Sequence, residues 1–151
     1  MREMKIYLCG KMSGLTFKEM NRWRELVKYE LKQKNIALGN HIDLKIVNPV
    51  DYYNFQEHIE QSNKEVMQYD LRHVKTSDLV IANVNGLDTS IGSIIEIYEA
   101  YSKGIPVISL GEKRVYDKLH PWIKECIMRH EDSIADLISY ISEFYFNWKE
   151  V

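Results

Sequence analysis

"DLVIANV", residues 78–84, is a nearly unbroken apolar run, short enough for a strand. A strand that is apolar at almost every position is covered on both faces, the habit of parallel sheets flanked by helices. The downstream sequence fits that habit. A loop runs into Ser90, where "SIGSIIEIYEAYSK" takes helical spacing, and "GIPVISL" (104–110) is a further strand opened by a glycine able to end the helix. Toward the N-terminus, "KIYLCG" (5–10) is another short apolar run, followed by the loop "GKMSGLT" and an amphipathic helix from Phe17 to Lys34. In that helix Phe17, Met20, Trp23 or Arg24, Val27 and Leu31 recur at helical spacing. "LKIVNP" (44–49) reads as a strand stopped by Pro49, "VDYYNF" as a loop, and Glu57 to Thr76 as a long polar helix. Helical stretches near 114–128 and 132–146 complete the chain. Strands alternating with helices predict an α/β fold, a Rossmann- or flavodoxin-like open parallel sheet with helices on both faces. Ligands in such sheets bind beyond the carboxyl ends of the strands, which directs attention to residues 10–16 and 84–92.

Bulk composition narrows the function. The 151 residues suit a single domain over 1–151, and 45% hydrophobic content is ample for one core. A formal net charge of -2 argues against a bulk electrostatic grip on a nucleic-acid polymer or an anionic membrane, so a small molecule is the expected partner. Lys18, Arg22, Lys28 and Lys32 then read as a solvated helix face rather than an RNA-binding one. Cys9 and Cys126 form no CxxC, and the five histidines show no ligand spacing, so neither a metal site nor a cofactor is expected. The first apolar run is too short for a signal peptide, and no run approaches the roughly 18 residues of a membrane span. A cytoplasmic setting is the expectation.

Several residues are candidates for chemistry. On the helix from Ser90, Ile91, Ile94, Ile95, Tyr98 and Ser102 form one stripe, and Gly92, Glu96, Glu99 and Lys103 another. Gly92, one turn below Glu96, leaves room for a ligand to approach the carboxylate. Ser90 and the free N–H groups of the first turn suit a hydroxyl, phosphate or other anion. By periodicity alone Glu96 reads equally as a functional acid and as a solvated helix position; Glu99 with Lys103 has the spacing of a surface ion pair. Gly10, Lys11, Met12, Ser13 and Gly14 form either a backbone cradle for an anionic or hydroxylated group or a tight turn, and match neither the Walker A loop nor GxGxxG. Asp70 is a general acid or a surface aspartate, and spacing favours the latter. Tyr7 faces the core or the cleft, where its phenol needs a partner such as Glu96.

Together, "IYLCGKMSG", "YDLRHVKTSDLVIANV" and "SIGSIIEIYEAYSKGIPVI" resemble the nucleoside 2-deoxyribosyltransferase superfamily, which includes 2'-deoxynucleoside 5'-monophosphate N-glycosidases, over most of residues 4–110. The resemblance implies cleavage of the N-glycosidic bond through a covalent deoxyribosyl-glutamate intermediate, passed to another base or to water. It assigns the nucleophile to Glu96, between Gly92 and Ala100, the acid to Asp70, and the orienting tyrosine to Tyr7. Glu96 is then expected ionised and Asp70 protonated. Free-nucleoside transferases carry an aspartate where this chain has Ser90; Ser90, Gly92 and the loop at 11–14 are similar to the monophosphate N-glycosidases, which use them for the 5'-phosphate. Tyr98 departs from a small residue in the family pattern. The resemblance further implies a homodimer or larger, with a neighbouring subunit's 116–125 region closing the site. His120 is the candidate there, beside a plain helix-start role. The alternative is a non-catalytic nucleotide-binding or sensing module.

Overall fold

The computed structural model describes residues 2–39, 41–53 and 62–148. In chain order the elements are β1 (Arg2–Cys9), α1 (Phe17–Leu38), β2 (Ile42–Val47), α2 (Asn63–Lys75), β3 (Leu79–Asn83), α3 (Ile91–Ser102), β4 (Val107–Leu110), α4 (Lys113–Asp117), α5 (Pro121–Glu125), β5 (Arg129–Glu131) and α6 (Ile134–Phe144). The strands form one sheet in the order β2-β1-β3-β4-β5, every pairing parallel. The predicted α/β architecture is therefore present, in the flavodoxin-like order. From β1 the chain crosses outward to β2, then back over β1 to β3, so the crossovers diverge between β1 and β3. Loops leaving these two strands open a crevice there.

Alternation along β1 decides what reaches each face. Ile6 and Leu8 join the core that Val27 and Leu31 of α1 and Leu137 and Ile141 of α6 close on one side. Tyr7 and Cys9 point the other way, into a second core with Val74 of α2 and Ile97 and Ala100 of α3. Local signals set the helix ends. Thr16 Oγ1 accepts from the Glu19 N–H and donates to its carboxylate, an N-cap that starts α1, and Gly39 ends it at φ 63°.

The structure departs from the sequence reading in several places. The expected helix over 114–128 is two short ones, because His120 precedes Pro121 and takes an extended backbone, ψ 137°, in place of a helical one. β5 was not foreseen: "RHE" carries no apolar alternation and joins the edge through its pairing with β4. α2 starts at Asn63 with Ser62 as N-cap, and residues 57–61 of the expected helix lie outside the described residues. α3 is rotated from its apolar stripe: Ser93, Ile97 and Ala100 are buried, whereas Ile91, Ile95 and Tyr98 face outward. Glu99 pairs with Lys75 of α2 at 3.7 Å rather than with Lys103.

Candidate active site

The rotation of α3 brings Glu96 to a cleft of about 780 Å³ at the carboxyl ends of β1 and β3. Its walls are the loop Gly10, Lys11, Met12, Ser13 and Gly14, the start of α3 with Ser90, Gly92 and Ser93, and Asp70 and Val66 of α2. Nine of the residues singled out from sequence thus share one hollow, and Tyr7 lies fully buried beneath it. His120 does not line this cleft. It begins α5, its Nδ1 accepting the Trp122 N–H at 3.1 Å, a helix-start role that is compatible with its being offered to a neighbouring subunit's cleft.

Glu96 is the electrostatic centre. Burial raises its carboxyl pKa from the usual 4.5 to about 7; the adjacent Tyr7 phenol opposes that rise, the Asp70 charge adds to it, and Arg24 opposes it. Oε2 of Glu96 and the Tyr7 hydroxyl are both buried, and neither completes a hydrogen bond among the described residues. A buried polar atom without a partner costs on the order of 1–3 kcal/mol, and one in a cleft wall is a group that a ligand can satisfy. With the ordinary value displaced to about 7, the acid carries a proton about half the time at neutral pH, instead of the full ionisation expected from sequence.

Asp70 faces Glu96 across the cleft, and its Oδ1 accepts from two phenols, Tyr52 at 2.6 Å and Tyr53 at 2.8 Å. Oδ2 is the oxygen not engaged by the described residues. The two tyrosines were missed in the sequence, where "VDYYNF" read only as a loop. Paired aromatics straight after a strand-ending proline were the available signal, because such a loop falls at the ligand-binding edge of the sheet. Ser93 was missed as well: buried in the first turn of α3, its hydroxyl meets that of Ser90 at 2.7 Å. Ser90 therefore spends its side chain on Ser93 and caps nothing, which leaves the first-turn N–H groups of α3 directed at the cleft. Opposite them, Lys11 reaches across to Thr89, Nζ to Oγ1 at 3.0 Å. A helix start, two serines and a lysine make one end of the cleft receptive to an anion, and two carboxylates make the other end fit for acid–base or nucleophilic work.

A Ser109–His130–Asp132 line elsewhere has triad-like contacts, Oγ to Nδ1 at 2.7 Å and Nε2 to the Asp132 carboxylate at 3.1 Å. Ser109 is fully buried in β4, so this group ties β4 to β5 and presents no nucleophile. Among the described residues no cluster of His, Cys, Asp and Glu is arranged to hold a metal, and no helix is long and apolar enough to cross a membrane.

Fold and site together define an α/β protein with two carboxylates and an anion-receptive end in a switch-point crevice. The chain belongs to the nucleoside 2-deoxyribosyltransferase family, whose model matches residues 6–135. Comparison with curated proteins by sequence gives no match. Among solved structures, it is similar to a conserved protein from Enterococcus faecalis V583, with TM-score 0.73 and 21% identity over 93% of this chain and 98% of that one. It is also similar to a 2-deoxyribosyltransferase from Bacillus psychrosaccharolyticus, with TM-score 0.65 and 20% identity over 90% and 91% of the two chains. A third is the Clostridium botulinum CMP N-glycosidase, with TM-score 0.57 and 20% identity over 93% and 98%. At these identities the structural likeness speaks for the fold.

Proposed function

We propose that the protein cleaves the N-glycosidic bond of 2'-deoxynucleoside 5'-monophosphates, with Glu96 as nucleophile and Asp70 as acid. The observation that carries this reading is the pairing of the Glu96 and Asp70 carboxylates, from different helices, in a cleft whose far end is an uncapped helix start beside Lys11. The proton that Glu96 carries at rest moves to Asp70 Oδ2 as substrate binds; the Glu96 carboxylate then attacks C1' of the sugar as the C1'–N bond breaks, and the departing base takes that proton. Tyr52 and Tyr53 fix the acid by their bonds to Oδ1. Water, deprotonated by the same Asp70, then attacks C1' of the glycosyl ester and releases Glu96; a second free base in place of water gives transfer. The 5'-phosphate suits the first turn of α3, Ser90 and the 10–14 loop, where N–H groups, hydroxyls and Lys11 converge.

The family relationship supports the bond cleaved, and Ser90 supports the phosphate. An exposed apolar face on α3 and α5, with Ile91, Tyr98 and Trp122 at its surface, supports a homo-oligomer in which a neighbouring subunit adjoins the cleft. A soluble, cytoplasmic location accompanies this reading.

The test is incubation with deoxynucleosides and their monophosphates, with and without a second free base, followed by chromatography. Free base from the monophosphates alone is the expected result. Base exchange on free nucleosides would make the protein a transferase, and binding with neither product would make it a nucleotide-binding or sensing module. Ser90→Asp sets a charge against the phosphate and should raise KM for monophosphates at least about tenfold, as about 1.4 kcal/mol of repulsion does.

A further inference from the structure

Arg24 is completely buried. Arginine is almost never fully buried unless it is paired, and a buried pair normally supplies a carboxylate within about 4 Å. Here no ion pair involving Arg24 is formed among the described residues. Its guanidinium donates to two backbone carbonyls, Nη1 to Met20 at 3.1 Å and Nη2 to Gly10 at 2.9 Å, and its Nε has no partner among the described residues. The Trp23 ring lies 5.0 Å from the guanidinium carbon. The cation has thus been placed where it is expensive, against the first residue of the cleft loop. A Cβ at position 10 would sit 2.8 Å from the Trp23 ring and 3.3 Å from Nη2, so the closeness of this contact is what requires glycine there. The groups that answer its charge are Cys9 and Tyr7 on β1, Glu96 on α3 and Tyr52 after β2. Of these only Glu96 ionises in the neutral range.

We propose that Arg24 is a positioning residue with two tasks: it anchors the Gly10 carbonyl, presetting the loop that forms the cleft floor, and it supplies the positive potential that stabilises the Glu96 carboxylate from the opposite side of the sheet. The proposal rests on the nucleophile role of Glu96 for its functional meaning, and on the burial of an unpaired cation against the cleft loop for its physical content. Glu96 is faced by Tyr7 and Cys9 from β1, by Asp70 from α2, by Tyr53 from the loop after β2, and by Arg24 from α1. Asp70 opposes its ionisation and the neutral phenols are donors; of the two cations, Lys11 in the cleft wall is engaged with Thr89, which leaves Arg24 as the one that acts on Glu96.

The experiment is a carboxyl carbon-13 NMR titration of Glu96 in the full chain and in Arg24→Lys, Arg24→Gln and Arg24→Met, with circular dichroism reporting folding. It needs no turnover, so it stands apart from the reaction assigned above. Arg24→Gln and Arg24→Met should move the Glu96 midpoint upward by about one pH unit, and Arg24→Lys by much less. In activity, the neutral variants should lose about tenfold in kcat/KM near pH 6 and much less above pH 8, where Glu96 ionises regardless. Arg24→Lys, keeping the charge and losing the forked contact to Gly10, should raise KM more than it lowers kcat. An unchanged midpoint in the folded neutral variants overturns the proposal. So does failure of both neutral variants to fold while Arg24→Lys folds, which would make the charge a stability device only.

Discussion

Replacing Glu96 by glutamine tests the cleft without any substrate. Glutamine matches glutamate in shape and cannot ionise. In the folded protein the Glu96 carboxyl sits at about 7 against an ordinary 4.5, raised chiefly by burial. The sign comes from linkage: a carboxyl whose folded value lies above its unfolded one favours folding in its protonated form. Its contribution is fully present below about pH 4.5 and is lost progressively as pH rises through about 7. At about 1.4 kcal/mol per pH unit, the wild type forfeits about 3 kcal/mol across that window. Glu96→Gln forfeits none of it. The pH-independent cost of burying an amide cancels when the two proteins are compared at several pH values. Urea unfolding followed by far-UV circular dichroism at pH 4, 6 and 8 should show the variant gaining on the wild type by about 3 kcal/mol over the series, or about 10 °C in Tm. A gap that stays constant with pH would show that Glu96 titrates as an ordinary solvated acid, and the electrostatic account of the cleft would fail. The same variant should lose at least about a thousandfold in turnover, stability and activity moving in opposite directions at one residue.

Glycines 10 and 92 should answer differently to alanine. Gly10→Ala forces a methyl against the Trp23 ring at 2.8 Å and should cost about 1–3 kcal/mol in urea unfolding, whereas Gly92→Ala meets nothing within 4 Å, should leave folding intact, and should raise KM for the ligand. A stable Gly10→Ala protein would refute the tight Arg24 contact. Trp122 and Tyr98 are 79% and 59% exposed, so Tyr98→Asp with Trp122→Asp should convert a dimer or larger species to monomer in sedimentation velocity, and an unchanged distribution would move the subunit contact elsewhere.

Much of the layout was readable because it is written locally. The apolar runs at 5–10, 78–84 and 104–110 each became a strand, and strands alternating with helices imposed a parallel sheet. "RHE" went unread because a three-residue edge strand needs no apolar pattern when its neighbour supplies the pairing. The stripe on α3 misled for a related reason. Ile91, Ile95 and Tyr98 look like a core face, yet the helix turns them outward, since the buried seam is carried by Ser93, Ile97 and Ala100 against Tyr7 and Cys9.

By itself the sequence determined the α/β alternation, the two loops that matter, and the family pattern that singled out Glu96, Asp70 and Tyr7, because helix and strand periodicities and short motifs are properties of neighbours in the chain. Only the tertiary structure decided that Tyr52 and Tyr53 hold Asp70, that Arg24 rather than Trp23 takes the buried position under Gly10, and that Glu96 is raised to about 7. These depend on burial and on groups far apart in the chain that crossovers bring together, and desolvation has no signature in a linear string.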